Sequence, residues 1–260
     1  MKPIGLRLFP VLMWLALGRT EIASSQTAFD QSHARLAGVL SNVVSGGRVD
    51  YVRLRSSPGE LDVYLNELAA VKPDEFTAWS RENRLALLLN LYNARTLRLV
   101  IDHYPLKSIR EIGTLPGAAW RDLIVRFGGQ VATLDHLEKK IIRPGYGEPR
   151  IHFALVCAAQ GCPPMRSEPY VGARLDRQLD DQARQFLATT EKNRFDPATG
   201  TLWLSPIFKW YQEDFTGRTG SLAAYVKPFL PDESRRALEP ATKVKVRYTD
   251  YDWSLNERSR

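Results

Sequence analysis

The chain has little sulfur and little imidazole: two cysteines and four histidines in 260 residues. The cysteines are Cys157 and Cys162, and the histidines, at 33, 103, 136 and 152, are dispersed. Neither the C-x2-C nor the H-x3-H spacing of a structural zinc site is present, so no metal and no cofactor is expected. Clustered charge is also lacking. Lys and Arg outnumber Asp and Glu by 36 to 29, yet the longest basic runs are Lys139-Lys140 and Arg235-Arg236. Without a basic face interleaved with aromatics, specific nucleic-acid binding is not expected, and the scattered charge leaves only weak contact with an anionic membrane or polymer. No internal repeat or low-complexity tract is visible. At 44% hydrophobic and 25% charged residues, the composition is that of an ordinary globular protein with material for one large or two small cores. It says nothing of oligomeric state.

Long apolar runs are confined to the first segment. Lys2 and Arg7 lead into the run Leu8 to Leu17, and Ala23-Ser24-Ser25 supplies small residues where a signal peptidase would cut. This is the three-part layout of a secretory signal peptide over residues 1–25, with an uncleaved amphipathic anchor as the alternative; the run is short for a membrane span. An exported chain, periplasmic or secreted, is the expectation. Removing residues 1–25 takes away Lys2, Arg7, Arg19 and Glu21, so the formal charge falls from +7 by three and rises by one, to +5.

The remaining chain reads as a helix-rich α+β single domain around a small, mainly antiparallel sheet, with a helical part over 26–72 and a core over 73–260. Helices are expected over Phe29–Val44, Glu60–Ala70 and from Pro73. A long central helix should run from Arg81 to about His103, capped by Ser80 and closed by Pro105. The interior of that helix, LALLLNLYNARTLRLVI, is apolar nearly all round and therefore buried on several sides. Asn90 and Asn93 interrupt it on one face, and a buried amide needs partners. Either they bond the backbone of an adjacent loop, or one orients a catalytic imidazole or a substrate carbonyl.

Gly128-Gly129 marks a hairpin, Thr133 caps a helix over Leu134–Ile142 that Pro144-Gly145 should end, and Ala173–Ala188 has clear helical periodicity. Further helices are expected over Ile207–Glu213 and Leu222–Leu230, and strands over Thr201–Leu204 and Lys243–Tyr248. Arg143 and Arg150 should pair with carboxylates such as Glu138 or Glu148. Trp210, Tyr211, Phe215 and Trp253 read as core rather than as a ligand platform, with Asp214 and Asp252 beside them able to receive a polar substrate.

Both cysteines fall in IHFALVCAAQGCPP, Ile151 to Pro164. Ile151–Val156 reads as a short buried strand followed by a turn. Alternation would put His152 and Cys157 on opposite faces, so they can meet only if Cys157 lies on the turn or a bulge re-aims it. Three readings follow for the sulfurs. They form a disulfide, which suits an exported chain. Or Cys157 is a nucleophile toward an acyl group, deprotonated by His152, with Glu138 or Asn93 orienting the imidazole and the Ala158–Gly161 turn donating to the oxyanion. Or both are inert residues of a binding module.

The segments RLALLLNLYNARTL (Arg84–Leu97), TLDHLEKKIIR (Thr133–Arg143), RIHFALVCAAQGCPP (Arg150–Pro164), Leu175–Leu187 and SPIFKWYQEDF (Ser205–Phe215), with the YDWSLN ending, resemble the family known as domain of unknown function 547. The resemblance covers most of the mature chain and implies no settled activity. Where that family usually has Glu-His, this chain has Glu138-Lys139, so no histidine acts there; His136, three residues earlier, is the available substitute. Some eukaryotic members resemble this chain at Cys157 but carry serine at the place of Cys162, which implies that a disulfide is not obligatory in the family. The functional expectation is a cysteine-dependent acyl hydrolase or transferase using Cys157 and His152, with Glu138 and Asn93 in support. The alternative is a non-catalytic envelope or binding module with a Cys157–Cys162 disulfide.

Overall fold

The central helix spans Arg81–His103, with fifteen of its 23 residues buried, and the Ser80 side chain accepts from the Asn83 amide at its start. The computed structural model describes residues 28–122, 124–239 and 243–258; the expected signal peptide lies outside them. Around the central helix pack Ala34–Val43, Tyr51–Ser56 and Gly59–Ala70. The first of these begins five residues later than its apolar pattern suggested. Its start is set by His33, which holds a left-handed φ of 54° and breaks the helix before it.

The α+β, helix-rich class holds, but the strands do not form one sheet. They make two hairpins, Val44–Ser45 with Arg48–Val49 and Val125–Phe127 with Gln130–Ala132, and one three-stranded sheet. In that sheet Thr201–Leu204 pairs antiparallel with Arg194–Asp196 and parallel with Lys245–Tyr248. The first core is therefore organised by the central helix rather than by a sheet.

Buried apolar side chains fall into two clusters. One surrounds the central helix; the other joins the three-stranded sheet to Phe186, Phe208, Phe215 and Val226. The segment Ile151–Ala154 stands between them, giving Ile151 and Ala154 to the first and Phe153 to the second. The expected strand at this place is a turn of helix. An apolar run buried from two sides has no periodicity to separate strand from helix. The overlooked signal was Glu148-Pro149 before it: the Glu148 carboxylate accepts from the Arg150 amide, and Pro149 O accepts from His152 N.

A second correction concerns Leu134–Ile142. Thr133 does cap it, accepting from His136 N at 2.9 Å, but only Leu134–His136 is α-helical. Leu137–Ile142 is a wider π turn, and Arg143–Tyr146 resumes the α-helix with Gly147, not Pro144-Gly145, at its end. Pro144 has no N–H to give to the preceding turn and its ring crowds the carbonyl there, which the wider turn accommodates. Ile207–Glu213 is likewise broken at Tyr211 into Ile207–Trp210 and Gln212–Thr216. Among the described residues no helix is long and apolar enough to cross a membrane.

His33 makes this fold sensitive to acid. It is 3% exposed, its Nδ1 lies 2.8 Å from the Tyr64 hydroxyl, and burial pushes its pKa down to about 4 from 6.5. The unfolded chain therefore takes up this proton before the folded one does. The stabilisation is fully present above pH 6.5 and is lost as pH falls from there to about 4, on the order of 3 kcal/mol in total. Asparagine tolerates the left-handed conformation and does not titrate. In urea titrations across this range, His33→Asn should flatten the pH dependence of unfolding free energy by up to one proton; parallel curves for the two proteins would refute the assignment.

Candidate active-site cleft

A cleft of about 390 Å³ opens beside the seam between the two clusters. The central helix contributes Tyr92 to it, the π turn Glu138 and Lys139, the 151–154 helix His152, and the following loop Cys157 and Cys162. Trp210, Tyr211, Tyr251 and Trp253 arrive from the C-terminal third. The wide turn matters here because it carries Glu138, 6% exposed, at the cleft wall.

His152 is held from two directions. Its Nε2 lies 2.6 Å from Asp214 Oδ2, and its ring stacks on Tyr211 with centroids 3.9 Å apart. Asp214 also accepts two bonds from Arg143, at 2.8 and 3.0 Å. The bond from His152 and then the Arg143 guanidinium hold the Asp214 carboxyl well below the usual carboxylate range. An ionised carboxylate only accepts, so Nε2 carries a proton, and the tautomer this contact selects has its lone pair on Nδ1. Tyr211 in turn donates to Glu138 Oε1 at 2.7 Å, and burial followed by the Glu138 charge raises its pKa.

Several expectations change at this point. Arg143 pairs with Asp214, not with Glu138 or Glu148, while Arg150 does bond Glu148 and adds Asp176 and Asp180. Asp214 is the partner of His152, a role that Asn93 and Glu138 do not fill. Both ends of the Asn93 amide are taken by backbone: Nδ2 donates to Ala154 O at 2.9 Å and Oδ1 accepts from Val156 N at 3.0 Å. Asn90 does the same for Tyr170. Glu138 reaches the imidazole only through the Tyr211 ring. His136 faces a different cavity and Lys139 pairs with Asp135, so His136 does not replace the family's histidine in the cleft. Phe215 is core at 1% exposure, whereas Trp210, 49% exposed, stands on the cleft.

Cys157 and Cys162 stand bonded as a disulfide, with alpha carbons 6.4 Å apart. The Tyr251 hydroxyl lies 3.2 Å from one sulfur and 3.1 Å from the other, and burial raises its pKa, so it remains a donor. Gly161 is required for this contact, because a Cβ there would come within 2.9 Å of the Tyr251 ring. Two of the amides expected to serve an oxyanion are engaged: Gln160 N donates to Ser254 O and Gly161 N to Asp252 O. From behind, Lys192 donates to the carbonyls of Gln160 and Cys162, and burial, with Arg48, lowers its pKa to about 8. Ala158, next to Cys157, holds a φ of 61°, a costly conformation for a residue with a Cβ and one that recurs at functional sites. No hydrogen bond joins His152 to Cys157 among the described residues; they share the cleft walls.

Residues 76–187 match the model of a family described as protein of unknown function, DUF547. The match supports the family that the quoted segments resemble. It takes in the central helix, the π turn, His152 and both cysteines, and stops before Trp210, Asp214, Tyr251 and Trp253. No curated protein and no solved structure matches the chain.

Proposed function

We propose that this is an exported, cysteine-dependent acyl hydrolase or transferase in which Cys157 is the nucleophile and His152 the general base. The observation that carries the reading is the His152–Asp214 contact of 2.6 Å beside a cleft that both His152 and Cys157 line. A carboxylate on Nε2 sets the tautomer and steadies the imidazolium, the role the third member plays in Cys-His-acid sites. The disulfide has to open first, by exchange with two equivalents of a small thiol, which leave joined as their own disulfide. The Cys157 thiol then passes its proton to Nδ1, the thiolate adds to the acyl carbonyl, and the imidazolium returns the proton to the leaving group. Water or an acceptor hydroxyl or amine resolves the thioester. Tyr251, whose hydroxyl already touches both sulfurs, is placed to donate to the developing oxyanion.

The test is alkylation of the folded, thiol-reduced protein with a haloacetamide probe. Modification should occur at Cys157 at least about tenfold faster than in the urea-unfolded chain, because a positioned base raises the thiolate fraction, and Cys157→Ser should abolish it. Equal rates folded and unfolded would end the enzyme reading. One observation favours a second reading, a binding module whose pair stays closed: the sulfurs are bonded and the Tyr251 hydroxyl covers both. In that case the thiols remain unreactive until the chain unfolds.

A further inference from the structure

We infer that the molecule entering the cleft is a neutral saccharide, which presents its ring to Trp210 and its hydroxyls to Glu138. The inference keeps the acyl chemistry proposed above for the reacting group and adds the carrier on which that group sits.

One wall of the cleft is aromatic. Trp210, Tyr251 and Trp253 form a cluster with centroids 4.8, 4.6 and 6.0 Å apart, and Trp210 is half exposed. The face of an aromatic ring is electronegative and attracts the weakly positive C–H groups of a flat ring laid on it. The cleft lining also carries a carboxylate. Glu138 has one carboxylate oxygen bonded by Tyr211 and retains further acceptor capacity for a hydroxyl.

Charge narrows the choice. The Lys, Arg, Asp and Glu residues lining the cleft are Arg121, Lys139, Asp135 and Glu138, two of each sign, and Lys139 and Asp135 already neutralise each other at 2.9 Å. An anion would meet the Glu138 carboxylate, and Arg121, the remaining lining cation, already donates to Pro116 O. A cation would compete with Arg110, whose guanidinium sits 5.2 Å from the Trp253 ring centre. A plain hydrocarbon chain would suit the aromatic wall but would desolvate Glu138 without giving it a partner. A neutral ring with an apolar face and hydroxylated edges suits both the aromatic wall and the carboxylate.

Isothermal calorimetry with neutral β-linked tetramers of glucose and of N-acetylglucosamine tests this, with octanoate and benzyltrimethylammonium as competing chemistries. At least one tetramer should bind saturably to the native chain. Trp210→Ala should weaken it about tenfold, the loss of one stacking partner. Trp210→Phe should recover most of the affinity, and Trp203→Ala, on the three-stranded sheet, should change nothing. No binding of either tetramer, stronger binding of octanoate or of the ammonium ion, or indifference to Trp210→Ala would overturn the inference. Saccharide binding by a protein that fails the alkylation test would retire the acyl reading alone. Alkylation without saccharide binding would retire only the carrier.

Discussion

Asn93→Ala should destabilise the protein by about 2–6 kcal/mol, measured by urea unfolding at neutral pH. The amide is 6% exposed and satisfies two backbone groups of another segment at once, Ala154 O and Val156 N. Alanine leaves both without a partner, and a buried group stranded in this way costs about 1–3 kcal/mol. Those two groups flank Leu155, just ahead of Cys157, so the variant should also blur the position of the sulfur. The control is Asn42→Ala: Asn42 is exposed and donates only to Gly38 O within its own helix, so its loss should stay within about 0.5 kcal/mol. A cost below about 1 kcal/mol for Asn93→Ala would mean that the segment finds other partners.

The second large effect concerns the dyad. In the reduced protein at neutral pH, His152→Ala should slow alkylation of Cys157 about 10- to 30-fold, the most that raising an ordinary thiol from a few per cent to full thiolate can supply. Asp214→Asn should produce a smaller loss and a changed pH profile, since an amide can present its NH₂ to Nε2 and invert the tautomer. The ionised state of Asp214 also sets a stability limit at low pH. Its folded-state pKa is depressed, so the stability it contributes through His152 and Arg143 is complete above the ordinary carboxylate value and is lost as pH falls below it. Stopped-flow rate profiles for alkylation check the two variants, and urea unfolding at low pH checks the stability limit. Unaltered rates in His152→Ala would remove the histidine from the chemistry even if Cys157 proves reactive.

The central helix shows how much a sequence can carry. Its bounds, its Ser80 cap and its burial on several sides were legible in an apolar run with a polar start and a proline after its end. The same holds for the Gly128-Gly129 hairpin and the Thr133 cap, each set by local stereochemistry. Asn90 and Asn93 were recognisable as amides in need of partners. That the partners would be Tyr170 and the 154–156 backbone was not, because they lie 80 and 61 or more residues away in the chain.

The misread segments share a cause. Ile151–Ala154 is divided between two cores, and its turn of helix depends on what packs from both sides, which no window of neighbouring residues reports. The π turn depends on the strain Pro144 imposes on the helix before it. The dyad was hidden for the same reason as the amide partners: Asp214 is 62 residues from His152 and shares no motif with it.

By itself, then, the sequence determined the helices with strong periodicity, the turns with glycine or a capping residue, and the close spacing of the two sulfurs and one imidazole along the chain. The tertiary structure decided that those sulfurs meet Tyr251, that the imidazole meets Asp214, and that Trp210 faces an open cleft rather than the core. Local torsional preference and periodicity are written in adjacent residues, whereas the pairing of side chains is settled only when distant segments compete for the same buried space.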